Sequence, residues 1–433
     1  MASQNFVADF HLHSHFSRAT SKDMDLSGMY RWGKIKGINV IGTGDFTHPQ
    51  WLTELQEQLE PLGNGLFQLK KELAVTLDKT IPSSCRHNPI FFVLTSEISN
   101  IYKKHDQVRK LHNVIVAPDF ATVIKMNAKL MSIGNLHSDG RPILGLDSKE
   151  LLRISLEASD KCIFIPAHIW TPWFAMFGSK SGFNTVEAAF EDLTPYIYAV
   201  ETGLSSDPAM NWRLSQLDNL LLVSNSDAHS PRNLGREANV FNCEFDYQEM
   251  FQAIKTKDDR FVGTIEFFPE EGKYHYDGHR SCNVSFNPEE TKKLQGICPV
   301  CHKPLVLGVD YRVTELADRA IGFQPKHQKQ VEYIVPLAPM IAEIKKLGSV
   351  SAKAVISEYD QVISKLGDEF SILRNLSIEQ INAAGFPFLA RAIKKMRTKD
   401  LYIKPGYDGV FGVVQVFKPG EMEADVKQLE LYA

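Results

Sequence analysis

Seven short apolar runs punctuate the first 265 residues: Phe6–Leu12, Val40–Thr43, Ile90–Leu94, Asn113–Ala117, Cys162–Pro166, Tyr198–Glu201 and Leu220–Ser224. Their shortness and their content of β-branched and aromatic residues predict buried strands, and amphipathic stretches of helical spacing lie between them. Strands that alternate with helices and are apolar on both faces imply parallel pairing with helical crossovers, and a closed barrel rather than a half-exposed sheet. In such folds chemistry gathers at the carboxyl ends of the strands. After Pro269 the pattern gives way to a Gly-, His- and Cys-rich segment ending near Arg312. From Val313 onward, Val355–Leu366 and Ile378–Met396 predict helices, and Leu401–Phe417 predicts a strand-turn-strand around Pro405-Gly406-Tyr407-Asp408-Gly409.

The expected division is therefore a catalytic α/β barrel over residues 1–265, a small insert over 266–312 and a helical domain over 313–433. A chain of 433 residues exceeds the roughly 250–300 at which single cores stop growing. No internal repeat is visible. Composition, 43% hydrophobic and 23% charged, is that of a globular protein, and no run of about 20 apolar residues suggests a membrane span. Met1–Asp9 lacks the basic start and apolar run of a signal peptide, so the expectation is a cytoplasmic monomer. The net charge of −4 hides an asymmetry: Ile321–Gly420 carries 14 Lys and Arg against 9 Asp and Glu, a net of +5, which leaves −9 for the rest. An acidic half joined to a basic tail suits a metal-using enzyme with a polyanionic substrate.

Ten of the fourteen histidines precede position 231, and most follow a predicted strand directly. The first strand ends on Asp9-Phe10-His11-Leu12-His13, whose two histidines at i and i+2 point to one face of an extended segment and can grip one ion together. Later strand ends bring Asp45 and His48, then Glu97, His112, His168, Glu201, and finally Asp227 and His229. Burying so many polar groups unpaired would cost about 1–3 kcal/mol each, which favours a metal site over a chance arrangement. Mixed imidazole and carboxylate donors suit zinc, manganese or iron better than calcium, with magnesium a further option; Glu97 is placed to bridge two ions. Two or three ions are expected, with Asp227, Glu97 and His229 closest to catalysis and water as the nucleophile.

Cys298-Pro299-Val300-Cys301 is a C-x2-C knuckle, and His279 with Cys282 forms a matching half upstream, together four ligands for a tetrahedral structural zinc. His302 is an alternative to His279. The remaining cysteines, Cys85, Cys162 and Cys243, are scattered as core residues are.

His11-Leu12-His13, Glu97, His112, His168 and Asp227-Ala228-His229 resemble, in order and spacing, the motifs of the PHP (polymerase and histidinol phosphatase) superfamily. The resemblance implies a distorted seven-stranded barrel with a trinuclear metal centre. One departure, at the third metal position, is Gly44-Asp45-Phe46, where the superfamily commonly has Thr-Asp-His; His48 lies two residues on. Ser17-Arg18-Ala19-Thr20-Ser21-Lys22, Gly42-Thr43-Gly44-Asp45-Phe46-Thr47-His48-Pro49, Ser138-Asp139-Gly140-Arg141-Pro142 and Pro405-Gly406-Tyr407-Asp408-Gly409 resemble the endonuclease Q branch. That resemblance implies incision of DNA on the 5′ side of a deaminated base or abasic site, on a duplex from which the lesion is extruded, and leaves open an association with a replication clamp or polymerase. Arg18, Lys22 and Arg141 are candidate phosphate contacts, Lys394, Lys395 and Lys404 candidate contacts from the basic tail, and Trp170 and Trp173, with Phe174 and Phe177, candidates to stack on a base or to fill the core. A small-molecule phosphatase and a non-catalytic DNA-binding scaffold are the rival readings; the knuckle and the long tail favour DNA over the first, the ligand set an enzyme over the second.

Overall fold

The computed structural model describes residues 5–422, so the last part of the expected helical domain lies outside the described residues. The strands of the body are β1 (Phe6–Asp9), β2 (Val40–Gly42), β3 (Leu59–Pro61), β4 (Phe67–Leu69), β5 (Phe91–Lys104), β6 (Gln107–Ala117), β7 (Ile143–Leu144), β8 (Ile163–Pro166), β9 (Ala199–Glu201), β10 (Leu221–Val223), β11 (Ala238–Phe241) and β12 (Phe261–Glu266). Each of the seven apolar runs contains or overlaps one of them. They build a mixed α/β architecture around an eleven-stranded sheet, with β9 and β10 as a separate parallel pair.

Side chains alternate between two cores. Phe6, Ala8 and Phe10 join Val114, Val116, Ile163, Ile165, Ala199 and Val223 in one cluster. Val7, Ile115, Ala117 and Phe164 join the other, formed with the helices. Strands buried on both faces explain why their sequences read as unbroken apolar runs.

The expectation of uniformly parallel pairing needs correction. β1, β2 and β5 are parallel, but β5, β6 and β8 pair antiparallel, and β11 runs against β1. The runs read as Ile90–Leu94 and Asn113–Ala117 are the inner halves of one long hairpin that turns at His105-Asp106. Both turn residues have positive φ, 52° and 58°, as a two-residue turn requires. Its outer half, with exposed Lys103, Gln107 and Val108, carries too many polar residues to register as strand in an apolar-run reading.

Beyond the body, β13 (Asp277–His279) and β14 (Val284–Phe286) form a small hairpin in the insert. Strand β15 (Gln330–Tyr333) then pairs parallel with β12 and becomes the edge of the main sheet. The helices Leu337–Ile344, Lys353–Leu366 and Pro387–Arg397 share the outer core of the body through Met340, Val355, Val362, Leu389 and Ile393. The predicted helix Ile378–Met396 is two, Ile378–Ala383 and Pro387–Arg397, because Gly385 adopts a φ of 92° and Pro387 can begin a helix but not continue one. Finally β16 (Tyr402–Lys404) and β17 (Val413–Gln415) form the expected strand-turn-strand. Its turn docks on the insert: Tyr276 N–H donates to the Gly406 carbonyl (2.9 Å), Gly406 N–H to Glu270 (2.8 Å) and Arg280 N–H to the Asp408 carboxylate (2.7 Å). Among the described residues no helix is long and apolar enough to cross a membrane.

Candidate metal centre

Six ligand-type side chains converge in two groups that share one member; His11, His13, His168 and Asp227 follow the carboxyl ends of β1, β8 and β10, whereas Glu97 and His112 stand inside the long hairpin β5–β6 and not at strand ends as expected. His11, His13, Glu97 and Asp227 form the first, and Glu97, His112 and His168 the second; within each, the donor atoms all lie within 4.8 Å of one another. Glu97 faces both ways. Its Oε2 is 3.2 Å from His13 Nε2 and 3.6 Å from His11 Nε2, while its Oε1 is 2.6 Å from His112 Nδ1 and 3.1 Å from His168 Nε2. Asp227 Oδ1 closes the first group, 3.1 Å from His13 Nε2 and 3.6 Å from His11 Nε2.

Backbone geometry delivers these groups. Asp227 and His168 sit at positive φ, 46° and 29°, at the turns that end their strands, a conformation costly for non-glycine residues and concentrated at functional sites. Gly203, at φ 62°, passes so close to His168 that an added Cβ would lie 2.5 Å from the histidine Cβ.

The remaining sequence candidates for this centre lie outside both groups. Asp45 is fully buried and accepts from Ser14 N–H and Oγ (2.7 Å each) and Ser17 Oγ (2.8 Å), with its other oxygen 3.2 Å from His13 Nδ1. It orients His13 so that Nε2 faces the cluster. Glu201 does the same for His11, 3.0 Å from Nδ1, and is itself held by His168 N–H (2.8 Å) and Asn225 Nδ2 (2.9 Å). His48 turns away: it caps the helix Pro49–Gln58 by accepting from Trp51 N–H, stacks on Phe16 and faces the His137 carbonyl. His229 stands at the rim, its ring 4.5 Å from that of His13 and its Nδ1 2.9 Å from the Asp227 carbonyl. Thr171 Oγ1, 3.2 Å from His168 Nδ1, plays an orienting part that no sequence signal distinguished from a loop threonine. Carboxylates and hydroxyls on the far ring nitrogen fix tautomer and direction, as in metal sites.

The electrostatics fit a cation-binding centre. Burial works against the His11 imidazolium, but Glu201, Glu97 and Asp227 outweigh it and hold its pKa well above the ordinary value. Burial likewise works against the Glu97 carboxylate, yet His112, Arg141 and His11 keep it well below its usual range. For His112 burial wins and brings the pKa down to about 4, leaving a neutral ring able to ligate. His11 Nε2, buried and aimed at the cluster, has no hydrogen-bond partner. That orphaned nitrogen and the double-facing carboxylate both fit resident metal ions.

Around the centre, Arg141 places Nη1 3.0 Å from Glu97 Oε2. The loop that carries it is pinned by Gly140, whose hydrogen occupies the space where a Cβ would meet Asp45 at 2.3 Å. Arg18 is exposed and pairs with Asp139 (3.2 Å); Lys22 is exposed. Trp173 is 48% exposed, but Trp170 is 1% exposed, packs on Phe177 and donates Nε1–H to Asn211 (2.8 Å), so it is core and not a stacking platform. Lys394 and Lys404 are exposed, whereas Lys395 is buried with its ammonium on Asp400 (2.6 Å) and Glu421 (3.0 Å), which commits it to holding the end of its helix.

Apart from this centre, His279, Cys282, Cys298 and Cys301 form a third group with donor atoms within the same 4.8 Å span, and His302 is not in it. Burial opposes the Cys298 thiolate, but N–H groups of Cys301 and Val300 and the His279 side chain bring its pKa down to about 6, whereas burial and the neighbouring Cys301 and Cys298 push Cys282 up to about 11. Burial pushes Cys85 and Cys162 up to about 11 and Cys243 to about 12, consistent with inert core thiols.

A cluster of histidines and carboxylates, one carboxylate shared between two groups, is an arrangement used by hydrolases with two or more metal ions. The chain resembles endonuclease Q over almost its whole length. A crystal structure of the lesion-specific endonuclease PfuEndoQ from Pyrococcus furiosus superposes with a TM-score of 0.82 at 29% identity, covering 95% of each chain. A complex of endonuclease Q with a 27-mer duplex carrying an abasic lesion at the active site gives 0.81 at 29% identity, covering 96% of this chain and 98% of that one. Residues 336–400 match the MJ0043 C-terminal domain family. The uncharacterized protein MJ0043 of Methanocaldococcus jannaschii is 32% identical over 282 residues, 62% of this chain, which spans 34% of that relative's length. The uncharacterized protein YqxK of Bacillus subtilis is 26% identical over 427 residues, 93% of this chain and 98% of the relative.

Proposed function

We propose that the chain is a metal-dependent, lesion-specific DNA endonuclease that hydrolyses the phosphodiester on the 5′ side of a deaminated base (uracil, hypoxanthine or xanthine) or an abasic site. The observation that carries the hydrolytic half is the placement of Glu97 between two sets of histidines. The DNA half is supported by the full-length likeness to endonuclease Q, including the form bound to a lesion-bearing duplex. In this reading residues 1–265 close as a distorted PHP-type barrel, 266–312 hold a structural zinc and 313–433 supply basic DNA contacts.

His11, His13, Glu97 and Asp227 would hold one ion and Glu97, His112 and His168 a second, and His229, at the rim beside His13, is the candidate to help hold a third. Bound there, divalent ions lower the pKa of a coordinated water and neutralise charge on the scissile phosphate. Glu97 divides its oxygens between the two sets and fixes their spacing. With ions bound, Asp45 and Glu201 would accept from Nδ1–H of His13 and His11 and keep Nε2 of each turned toward the ions. Arg141 adds a fixed positive charge beside the Glu97 carboxylate. The damaged nucleotide would leave the stack to reach this depth, at least cost where its pairing is already weak.

Incubation of the metal-loaded protein with end-labelled duplexes carrying uracil, hypoxanthine, an abasic site or no lesion tests the proposal. A single cut 5′ of the lesion is expected. Equal cleavage of undamaged DNA would reduce the reading to a general nuclease, and hydrolysis confined to small phosphomonoesters would replace it with a phosphatase.

A further inference from the structure

Two exposed arginines close in sequence to the candidate metal centre have no carboxylate partner among the described residues. Arg31 and Arg232 are both exposed, whereas Arg18, Arg141, Arg153, Arg260, Arg312, Arg319 and Arg374 all form ion pairs. They line a cleft of about 320 Å³ between the helix Leu26–Lys36, the turn Pro231–Asn233 and the helix Lys353–Leu366. One wall is aromatic: the Arg232 guanidinium lies 5.4 Å from the centre of the Trp32 ring, and Trp32 is 6.2 Å from Tyr359. The chain links the cleft to the candidate metal centre at one point. Arg232 follows His229 by three residues, and the His229 carbonyl accepts from Ser21 N–H (2.8 Å), so the loop bearing Lys22 and Asp23 leaves the centre alongside it.

One guanidinium over an indole face, with a second on the same lining and neither paired to a carboxylate, suits a ligand that carries both negative charge and flat rings. Phosphates match the planar donors of arginine, and bases of any identity stack on an aromatic wall. The volume is at the lower end of ligand clefts, about 300–1,000 Å³, and admits about one nucleotide. Asp23 and Asp360 on the lining disfavour a second phosphate at depth and confine the charge match to the arginine side. We propose that this cleft holds a nucleotide of the DNA strand next to the cut, with its phosphates on Arg31 and Arg232 and its base against Trp32. The proposal rests on the nucleic-acid reading above and adds to it a route for the strand between the catalytic body and the C-terminal helices.

Equilibrium binding tests it without catalysis. The probe is an undamaged, fluorescently labelled single-stranded oligonucleotide, which the proposed specificity leaves uncut, titrated with zinc-loaded full-length protein from 50 to 200 mM salt. Each phosphate contact to a single strand contributes about 0.7 to the slope of log affinity against log salt, so Arg31→Ala and Arg232→Ala should each flatten the slope by about that amount. Trp32→Ala should weaken binding by roughly fivefold to a hundredfold at every salt with the slope unchanged. Trp32→Phe, which keeps the wall and guards against loss of packing, should restore most of it. Wild-type binding with unaltered slopes and affinities in all the variants overturns the cleft assignment alone. Failure of the wild type to bind single-stranded or lesion-bearing DNA at any salt overturns the nucleic-acid reading, and the cleft with it.

Discussion

Replacing Asp45 by Asn separates an orienting carboxylate from a ligand. In the structure Asp45 shares no metal-facing group with Glu97 or Asp227; its partners are Ser14, Ser17 and the Nδ1 of His13 at 3.2 Å. An asparagine keeps the shape and one acceptor, which still serves the serines, but presents an NH2 to His13. The imidazole then gains by accepting at Nδ1 and protonating Nε2, the atom that must be bare to bind an ion. Loss of such an orienting partner costs about 10- to 100-fold in metal affinity or activity, which corresponds to roughly 1.4–2.8 kcal/mol. Since the buried hydrogen bonds to serine persist, thermal stability should change by no more than a few degrees. Metal titration monitored by elemental analysis, with incision of a uracil duplex in parallel, gives the readout: weaker binding and slower cutting, both recovered by excess metal. A permanent loss of one ion per chain that excess metal does not restore would make Asp45 a ligand. Wild-type affinity and rate would refute the orienting role.

Asp227→Ala removes a donor from the first group and should abolish incision while the circular dichroism spectrum stays native; normal turnover with normal metal content would remove Asp227 from the reaction. Cys298→Ser should release one zinc per chain and leave the ions of the main centre in place, because the two sets share no residue; unchanged zinc stoichiometry would sink the four-ligand knuckle. Trp170→Ala should destabilise the fold by about 3–5 kcal/mol, the cost of emptying a large aromatic site, and leave lesion affinity of the folded fraction alone; a selective loss of DNA binding at native stability would return Trp170 to the DNA surface.

What the sequence could and could not reveal follows from the range over which each signal acts. The pair His11-x-His13 and the knuckle were legible because their geometry is local: alternate residues of a strand, or two residues separated by a tight turn, reach one point whatever the rest of the chain does. The strands of the body were legible because both of their faces are buried, and their pairing directions were not, because the hairpin at His105-Asp106 is polar at its tip. Asp45, Glu201 and His48 all stand at strand ends with ligand-type side chains, and only the tertiary arrangement decides that two of them grip the back of a histidine while the third caps a helix. The same holds for Trp170 and Lys395, whose types suit a DNA surface and whose neighbours, Asn211 and Asp400, claim them for the interior. Arg31, Trp32 and Arg232 come together from segments some 200 residues apart, and no spacing rule could have paired them.

The strand Gln330–Tyr333 has a consequence for how the molecule is made. It closes the outer edge of Phe261–Glu266, so the sheet that frames the candidate metal centre stays unfinished until a segment beyond the cysteine-bearing insert has been synthesised. A nascent or truncated chain that stops short of it exposes a row of unpaired backbone donors and acceptors, the kind of edge that recruits strands from other chains. Limited proteolysis between the insert and Gln330 should therefore yield an amino-terminal fragment that aggregates, even though every proposed ligand of the main metal centre lies within it.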